Sequence, residues 1–368
     1  MLELEKIITP TLLLDERKSR QHILTMVEKA QKPSIRLRPH FKTHQSAAIG
    51  EWFREAGVKS ITCSSLQMAA YFAAHGWNDI LVAFPVNIRE IVLINQLAAT
   101  IHLELLVEST FSVEFLEANL KAPVDIWLKI DSGAGRTGIA VANTTLAVNI
   151  CQMVHKSSSM HLRGILTHAG QTYHSTSPIH VVGSYQASVD LMNQMRDKLA
   201  MLGINDLEIS VGDTPGCVLV DDFGKVDEIR PGNFIFFDAT QAFIGTCTAD
   251  EVAVAVACPI VAIHPELEKV VVYGGAIHLS SEYFLLGNQK AYGLPALLAA
   301  DGWGSPIPGG YVYKLSQEHG IVHVHYEVCN SLNPGDLLAI IPAHSCITVS
   351  CLKKYLTLEG EILETMNC

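Results

Sequence analysis

A lysine set between a strand pattern and a helix pattern, with an arginine and two histidines beside it, is the first candidate for chemistry in this chain. The segment Arg38-Pro39-His40-Phe41-Lys42-Thr43-His44-Gln45 follows an apolar-alternating run at 34–37 and precedes a helical pattern that begins near Ala47. An ammonium packed beside Phe41 and crowded by positive charge is pushed towards its neutral form, because burial and like charges both penalise the cation. A neutral amine is what imine formation needs. The competing reading is an ordinary lysine at a strand end.

A second candidate stands far along the chain, in Pro342-Ala343-His344-Ser345-Cys346. Residues two apart on a strand project from one face, so His344 and Cys346 are expected to approach one ion together. Imidazole and thiolate favour zinc among the common divalent ions, and two protein ligands leave positions open for water or substrate. The competing reading is a buried histidine near an unrelated small cysteine.

These residues need a scaffold, and the chain predicts one. Near-continuous apolar strand patterns at 34–37, 60–63, 80–84, 102–107, 124–130, 163–167, 207–211 and 226–229 alternate with helical patterns such as 21–30, 67–75, 113–118 and 185–201. Repeated strand-helix units of this kind imply a parallel sheet covered by helices, and eight of them an α/β fold of the (β/α)8 TIM-barrel type. Beyond about Pro231 the pattern turns to short strand-like runs at 252–257, 270–273, 321–326, 337–341 and 347–352. Turns such as Gly274-Gly275 and Asn333-Pro334-Gly335-Asp336 punctuate them. The expected division is an N-terminal strand at 1–14 packing on the β domain, a barrel at 15–235, and a C-terminal, mostly-β domain with the metal pair at 236–368.

In such a barrel the working residues lie at the C-terminal ends of the strands. Lys42 follows the first strand, Asp131 to Arg136 the fifth, His168 and Tyr173 the sixth, Gly212-Asp213-Thr214 the seventh, and Arg230-Pro231-Gly232 the eighth. Each cluster alone reads as a turn; all five on one rim read as a site. Backbone N–H groups and the Thr214 hydroxyl after strands seven and eight could cradle a phosphate. A phosphate anchor beside an imine-forming lysine describes pyridoxal 5'-phosphate.

Composition narrows the class. Of 368 residues 49% are hydrophobic and 17% charged, and the net charge is -11 without any Lys/Arg run, which argues against nucleic acid or an anionic membrane as partner. No apolar run approaches the roughly 18 residues of a spanning helix, and no charged-then-apolar leader follows Met1, so a cytoplasmic small-molecule enzyme is expected. Nine cysteines without a CxxC pair do not form a secreted disulfide framework.

With these residues in place, the chain resembles the fold-type III pyridoxal-phosphate enzymes, which share the alanine racemase barrel. It is most similar to the eukaryotic-type D-serine dehydratase and D-threonine aldolase family. The motifs are Arg38-Pro39-His40-Phe41-Lys42-Thr43-His44, Lys129-Ile130-Asp131 with Arg136-Thr137-Gly138, Ser210-Val211-Gly212-Asp213-Thr214-Pro215, Glu318-His319-Gly320 and Pro342-Ala343-His344-Ser345-Cys346. The resemblance implies that Lys42 carries the cofactor as a Schiff base and that Arg136 and His168 lie around its ring and phenolic oxygen. Tyr173, Thr214, Gly232 and Asn233 would hold its phosphate, and His344 and Cys346 a divalent metal beside the substrate. Related aldolases usually show His-x-Asp at the metal pair, so Cys346 favours a dehydratase and zinc, with magnesium or manganese the other candidates. Ala343, Phe234, Phe237 and the Ser281-Glu282 pair depart from the family pattern and bear on substrate choice.

The expected activity is therefore a PLP- and metal-dependent lyase of D-β-hydroxy amino acids, first a D-serine dehydratase working as a homodimer. A D-threonine or 3-hydroxy-D-aspartate aldolase is the alternative. Behind these stand an amino-acid racemase, a non-catalytic PLP carrier, and a metal-dependent hydrolase using His40 and His44.

Overall fold

The computed structural model describes residues 2–366, which fall into two compact units. One comprises Thr25–Lys42 and Gly50–Gly232; the other comprises, among the described residues, 2–24, Thr43–Ile49 and 233–366.

The first unit is built on eight parallel strands. In sheet order they are Arg36–Leu37, Glu228–Ile229, Glu208–Gly212, Met160–His168, Val124–Asp131, His102–Val107, Asp79–Pro85 and Ile61–Cys63. The two ends of this order meet. His40 bridges Thr62 in parallel, the Phe41 N–H donates to the Thr62 carbonyl at 2.9 Å, and the Thr62 N–H donates to the Pro39 carbonyl at 2.9 Å, closing the sheet into a barrel. The strands read as apolar runs because both faces are covered: Ile126, Trp127, Leu128 and Ile130 are all fully buried.

Capping residues set the helix starts. Ser65, Ser109, Asn143 and Ser177 each accept an N–H from the residue three positions on, which begins Leu66–Ala74, Thr110–Asn119, Thr144–Lys156 and Pro178–Met201. The last of these starts seven residues earlier than its apolar periodicity implies, at a Ser-Pro cap visible in the sequence.

At the N-terminal ends of the strands the barrel holds a buried ion network. The Arg38 guanidinium donates to Glu228, Asp79 and Glu104 at 2.7 Å each, and Arg38 itself is 1% exposed. Burial opposes the charge on Glu228, but the guanidinium groups of Arg38 and Arg36 outweigh it and hold its carboxyl at about 2.

In the second unit the N-terminal strand Thr11–Leu14 pairs antiparallel with Val254–His264 and parallel with Lys354–Thr357. Val254–His264 also pairs with Leu337–Pro342 and Lys269–Tyr273, and the latter with His319–His323. The run at 347–352 departs from expectation: it is not a strand but part of helix Ser345–Leu352. Its β-branched residues suggest a strand, yet Ser345, Cys346, Thr348 and Val349 are buried while Ile347 and Ser350 are exposed. That spacing is helical, and a run this short cannot be assigned from its own composition. The run at 321–326 is also shorter than expected, ending at His323 before helix Tyr326–Ser331. Among the described residues no helix is long and apolar enough to cross a membrane.

Candidate active site

The rim of the first unit gathers the residues singled out by position. Lys42 is half-buried in the turn that leaves the barrel seam. Its neighbours are pinned: the His40 N–H donates to the Pro231 carbonyl at 2.9 Å, and the Phe41 ring packs against Phe53, Phe72 and Trp77 with centroids 4.9 to 5.1 Å apart. The stem of Lys42 thus leaves from an anchored backbone.

His168 ends the strand Met160–His168, with Nδ1 against the Gly212 carbonyl. A carbonyl can only accept, so Nδ1 carries the proton and Nε2 presents a lone pair. Burial, reinforced by the charges of Lys42, Arg136 and Arg230, pushes this imidazole down to about 3. His40 is lowered well below the usual range by burial and then by Lys42, Arg230, His168 and Arg136. The mutual influence of these groups shows that they converge on one face of the barrel.

The phosphate-type loop is equally specific. The Thr214 N–H donates to the Tyr173 hydroxyl at 3.1 Å, while the Thr214 hydroxyl is buried with no hydrogen-bond partner. Asp213 caps the short helix Thr214–Leu219 through the Gly216 N–H at 2.6 Å and accepts the Thr172 hydroxyl at 2.9 Å, and burial pushes its carboxyl up to about 6. Gly216 must be glycine: a Cβ there would stand 2.4 Å from the Tyr185 ring. A buried hydroxyl without a partner next to backbone N–H groups fits an anionic ligand such as a phosphate.

Two residues of this unit carry more than the sequence reading gave them. Arg230 is buried, donating from Nε to the Ser210 hydroxyl at 2.7 Å and from Nη2 to the Thr167 carbonyl. Lys129 is buried in its strand, where burial, then Arg230 and Arg136, lower it to about 7. The signal was present: Lys129 is a cation inside an otherwise apolar strand run, a placement that exposed lysines avoid.

The second unit carries the other candidate pair. His344 is the N-cap of helix Ser345–Leu352 and Cys346 lies in its first turn, so a helix start rather than a strand face presents them. The His344 Nδ1 lies 3.2 Å from Asp238 Oδ2, and since a carboxylate accepts, Nδ1 donates. Asp238 is itself fixed, receiving the Asn233 amide at 2.7 Å, the Ser345 N–H at 3.1 Å and the Gln241 N–H at 2.9 Å. Burial works against a charged His344, but Cys346 and Asp238 prevail and raise it well above the usual histidine range. Cys346 Sγ stands 3.2 Å from the Thr43 hydroxyl and 3.7 Å from the Asn233 amide. A histidine held through one nitrogen by a carboxylate, next to a cysteine, is the arrangement that orients a metal ligand.

Asn233, expected beside a phosphate, spends its side-chain amide on Asp238, Ser345 and Cys346. Asp238 and Thr43 were not singled out in the sequence. The spacing of Asp238 and Gln241 signals a helix cap, but nothing local signals a contact 106 residues away. Among the described residues neither His40 and His44 nor His344 and Cys346 belong to a group of three possible ligand residues.

The family model described as "Alanine racemase, N-terminal domain" matches residues 14–240, and that described as "Putative serine dehydratase domain" matches residues 253–358. The chain belongs to this alanine racemase-type family. Among its relatives, D-threo-3-hydroxyaspartate dehydratase of Delftia sp. (strain HT23) is 27% identical over 362 residues, covering 96% of this chain and 94% of that protein. D-serine dehydratase of Dictyostelium discoideum is 26% identical over 378 residues, with 96% and 94% covered. A solved structure of a D-threo-3-hydroxyaspartate dehydratase, a Cys-to-Ala mutant in the metal-free form, superposes with a TM-score of 0.92 at 26% identity and covers 100% of both chains.

Proposed function

We propose that this family member is a PLP- and divalent-metal-dependent lyase acting on D-β-hydroxy amino acids, with D-serine, converted to pyruvate and ammonia, as first substrate. D-threo-3-hydroxyaspartate stands next, since a 27% identical relative carries that name. The observation that carries the reading is the Asp238-held His344 with Cys346 at one helix start. It sets a dehydratase apart from a racemase, which needs no ion.

The residues fit both groups. The Lys42 amine would hold PLP, with Arg136 and His168 beside its ring, and the Tyr173 hydroxyl, the Thr214 hydroxyl and the backbone of Gly232 and Asn233 at its phosphate. His344 and Cys346 would hold the ion, for which we propose zinc on the strength of the imidazole–thiolate pair. When bound, PLP would supply an electron sink and the ion a Lewis acid. The Lys42 amine takes the Cα proton. A neutral His168 adds no further positive charge to those of Arg136 and Arg230, and Asp238 holds the His344 ring through Nδ1. A cytoplasmic setting accords with the absence of any disulfide among the eight described cysteines, and we propose a homodimer as the working assembly.

The test is incubation of the purified protein with D-serine, D-threo-3-hydroxyaspartate and D-threonine in turn, with and without chelator and re-added zinc. Dehydration releases pyruvate or oxaloacetate; cleavage of the Cα–Cβ bond releases glycine and an aldehyde. The expected result is keto-acid formation that chelation abolishes and zinc restores. Glycine from D-threonine as main product moves the assignment to an aldolase, and full turnover by a Lys42→Ala protein ends it.

A further inference from the structure

Two groups of histidine and carboxylate residues outside the candidate active site bring three possible metal-ligand atoms within 4.8 Å of one another: Asp79 with His102 and Glu104, and Glu268 with His323 and His325. They differ in what already occupies them. In the first, the Arg38 guanidinium binds both carboxylates, and hydrogen bonds to Asp125 and Asp79 raise His102 to about 10, so it is a cation rather than a ligand.

In the second group Glu268 pairs with His325 instead. Glu268 follows the turn Pro265–Leu267 in a left-handed conformation, φ 48° and ψ 44°, which few side chains other than Asn, Asp and Gly adopt readily. Its backbone carbonyl accepts the Val324 N–H at 3.2 Å, and its carboxylate Oε1 accepts the Tyr326 N–H at 3.2 Å, fixing the side chain from both ends. Val324 is fully buried, so His323 and His325 on either side of it point outward together. The His325 Nδ1 lies 3.6 Å from Glu268 Oε1, and Gly309 makes room for the ring, since a Cβ there would stand 2.7 Å from Nε2. The His323 ring is steadied by Tyr311, with centroids 5.4 Å apart.

We propose that Glu268, His323 and His325 form a second site for a zinc-class divalent ion, on the β domain and separate from the His344 and Cys346 pair. Two imidazoles and one carboxylate make a three-ligand zinc set with a coordination position left for water. Ligand atoms on a tetrahedral zinc stand about 3.4 Å apart, so the spread seen here closes by small side-chain rotations. The carboxylate is already oriented by the Tyr326 N–H, the kind of support that metal-ligating groups require.

The experiment uses the full-length PLP-loaded protein and zinc alone as probe, with bound metal counted by equilibrium dialysis and elemental analysis. A Cys346→Ala background weakens the other pair, so one zinc per chain should remain there. His323→Ala together with His325→Ala should remove that ion, and Glu268→Gln should weaken it at least about tenfold. In otherwise unchanged protein these substitutions should lower the zinc count by one per chain while D-serine turnover stays within twofold. Thermal unfolding of each metal-free variant at the wild-type temperature separates loss of a ligand from loss of the fold; should the double variant unfold early, Glu268→Gln alone decides. An unchanged zinc count and affinity in the folded variants overturns the proposal.

Discussion

The two ends of the barrel are both rich in charge, yet they use it in opposite ways. At the N-terminal ends of the strands each guanidinium meets a carboxylate: Arg38 with Glu228, Glu104 and Asp79, Arg36 with Glu228 and Glu208. At the C-terminal rim Lys42, Arg136 and Arg230 crowd the half-buried, neutral His40 and His168, and the Thr214 hydroxyl is buried without a partner. Matched charge holds strands together; an excess of cations beside an unsatisfied hydroxyl suits an anionic ligand. The sign balance of a polar cluster thus separates architecture from chemistry better than its polarity does.

Lys42→Ala should lower D-serine turnover by roughly 10²–10⁴-fold, with loss of the PLP absorbance and an unchanged melting curve. A protein that unfolds instead would make Lys42 part of the architecture. Arg38→Ala should do the reverse, costing about 3–5 kcal/mol in urea unfolding because Glu104 is left buried without its guanidinium and Glu228 keeps only that of Arg36, while turnover per folded molecule holds. Asp238→Asn should weaken zinc binding about 10–100-fold with the fold intact, as read by metal competition; no change would show that the His344 contact is structural only.

Two smaller effects sharpen the same contrast. His44 and His168 are both depressed to about 3 by burial, so between pH 6.5 and 3 the unfolded chain takes up protons that the folded apo-protein refuses. The stability they contribute is present above pH 6.5 and is lost as the pH falls, at about 1.4 kcal/mol per pH unit for each histidine. Chemical denaturation across that range measures the slope, and a flat profile would show that neither ring is held neutral. Thr214→Val should weaken PLP binding by about 1 kcal/mol yet leave the apo-protein as stable or more so, because it deletes a hydroxyl that is unsatisfied without a ligand. Loss of apo stability would show that the hydroxyl has a structural partner.

Much of the barrel was legible because parallel strands buried on both faces write themselves as apolar runs, and their C-terminal ends could be read off directly. The rim residues Lys42, Arg136, His168, Tyr173 and Thr214 followed from position alone. What stayed hidden depends on contacts distant in sequence. Asp238 is not singled out until His344 is seen against it, and Asn233, expected at a phosphate, is seen to place its amide on Asp238, Ser345 and Cys346. The run at 347–352 was misread because Ile347, Thr348 and Val349 favour strands, whereas the pattern of burial around His344 and Cys346 follows a helix.

Closure of the barrel also has a temporal side. The hydrogen bonds joining Pro39 and Phe41 to Thr62, and His40 to Pro231, tie the first strand to the second and to the loop after the eighth, spanning nearly two hundred residues of chain. Lys42 leaves from that seam. Non-local contacts of this length form late in folding, because the loop-closure entropy is met before the contacts repay it. A chain emerging during synthesis therefore has no anchored lysine until its eighth strand arrives, and the growth of PLP absorbance during refolding becomes a clock for the closing of the barrel rather than for the formation of its helices.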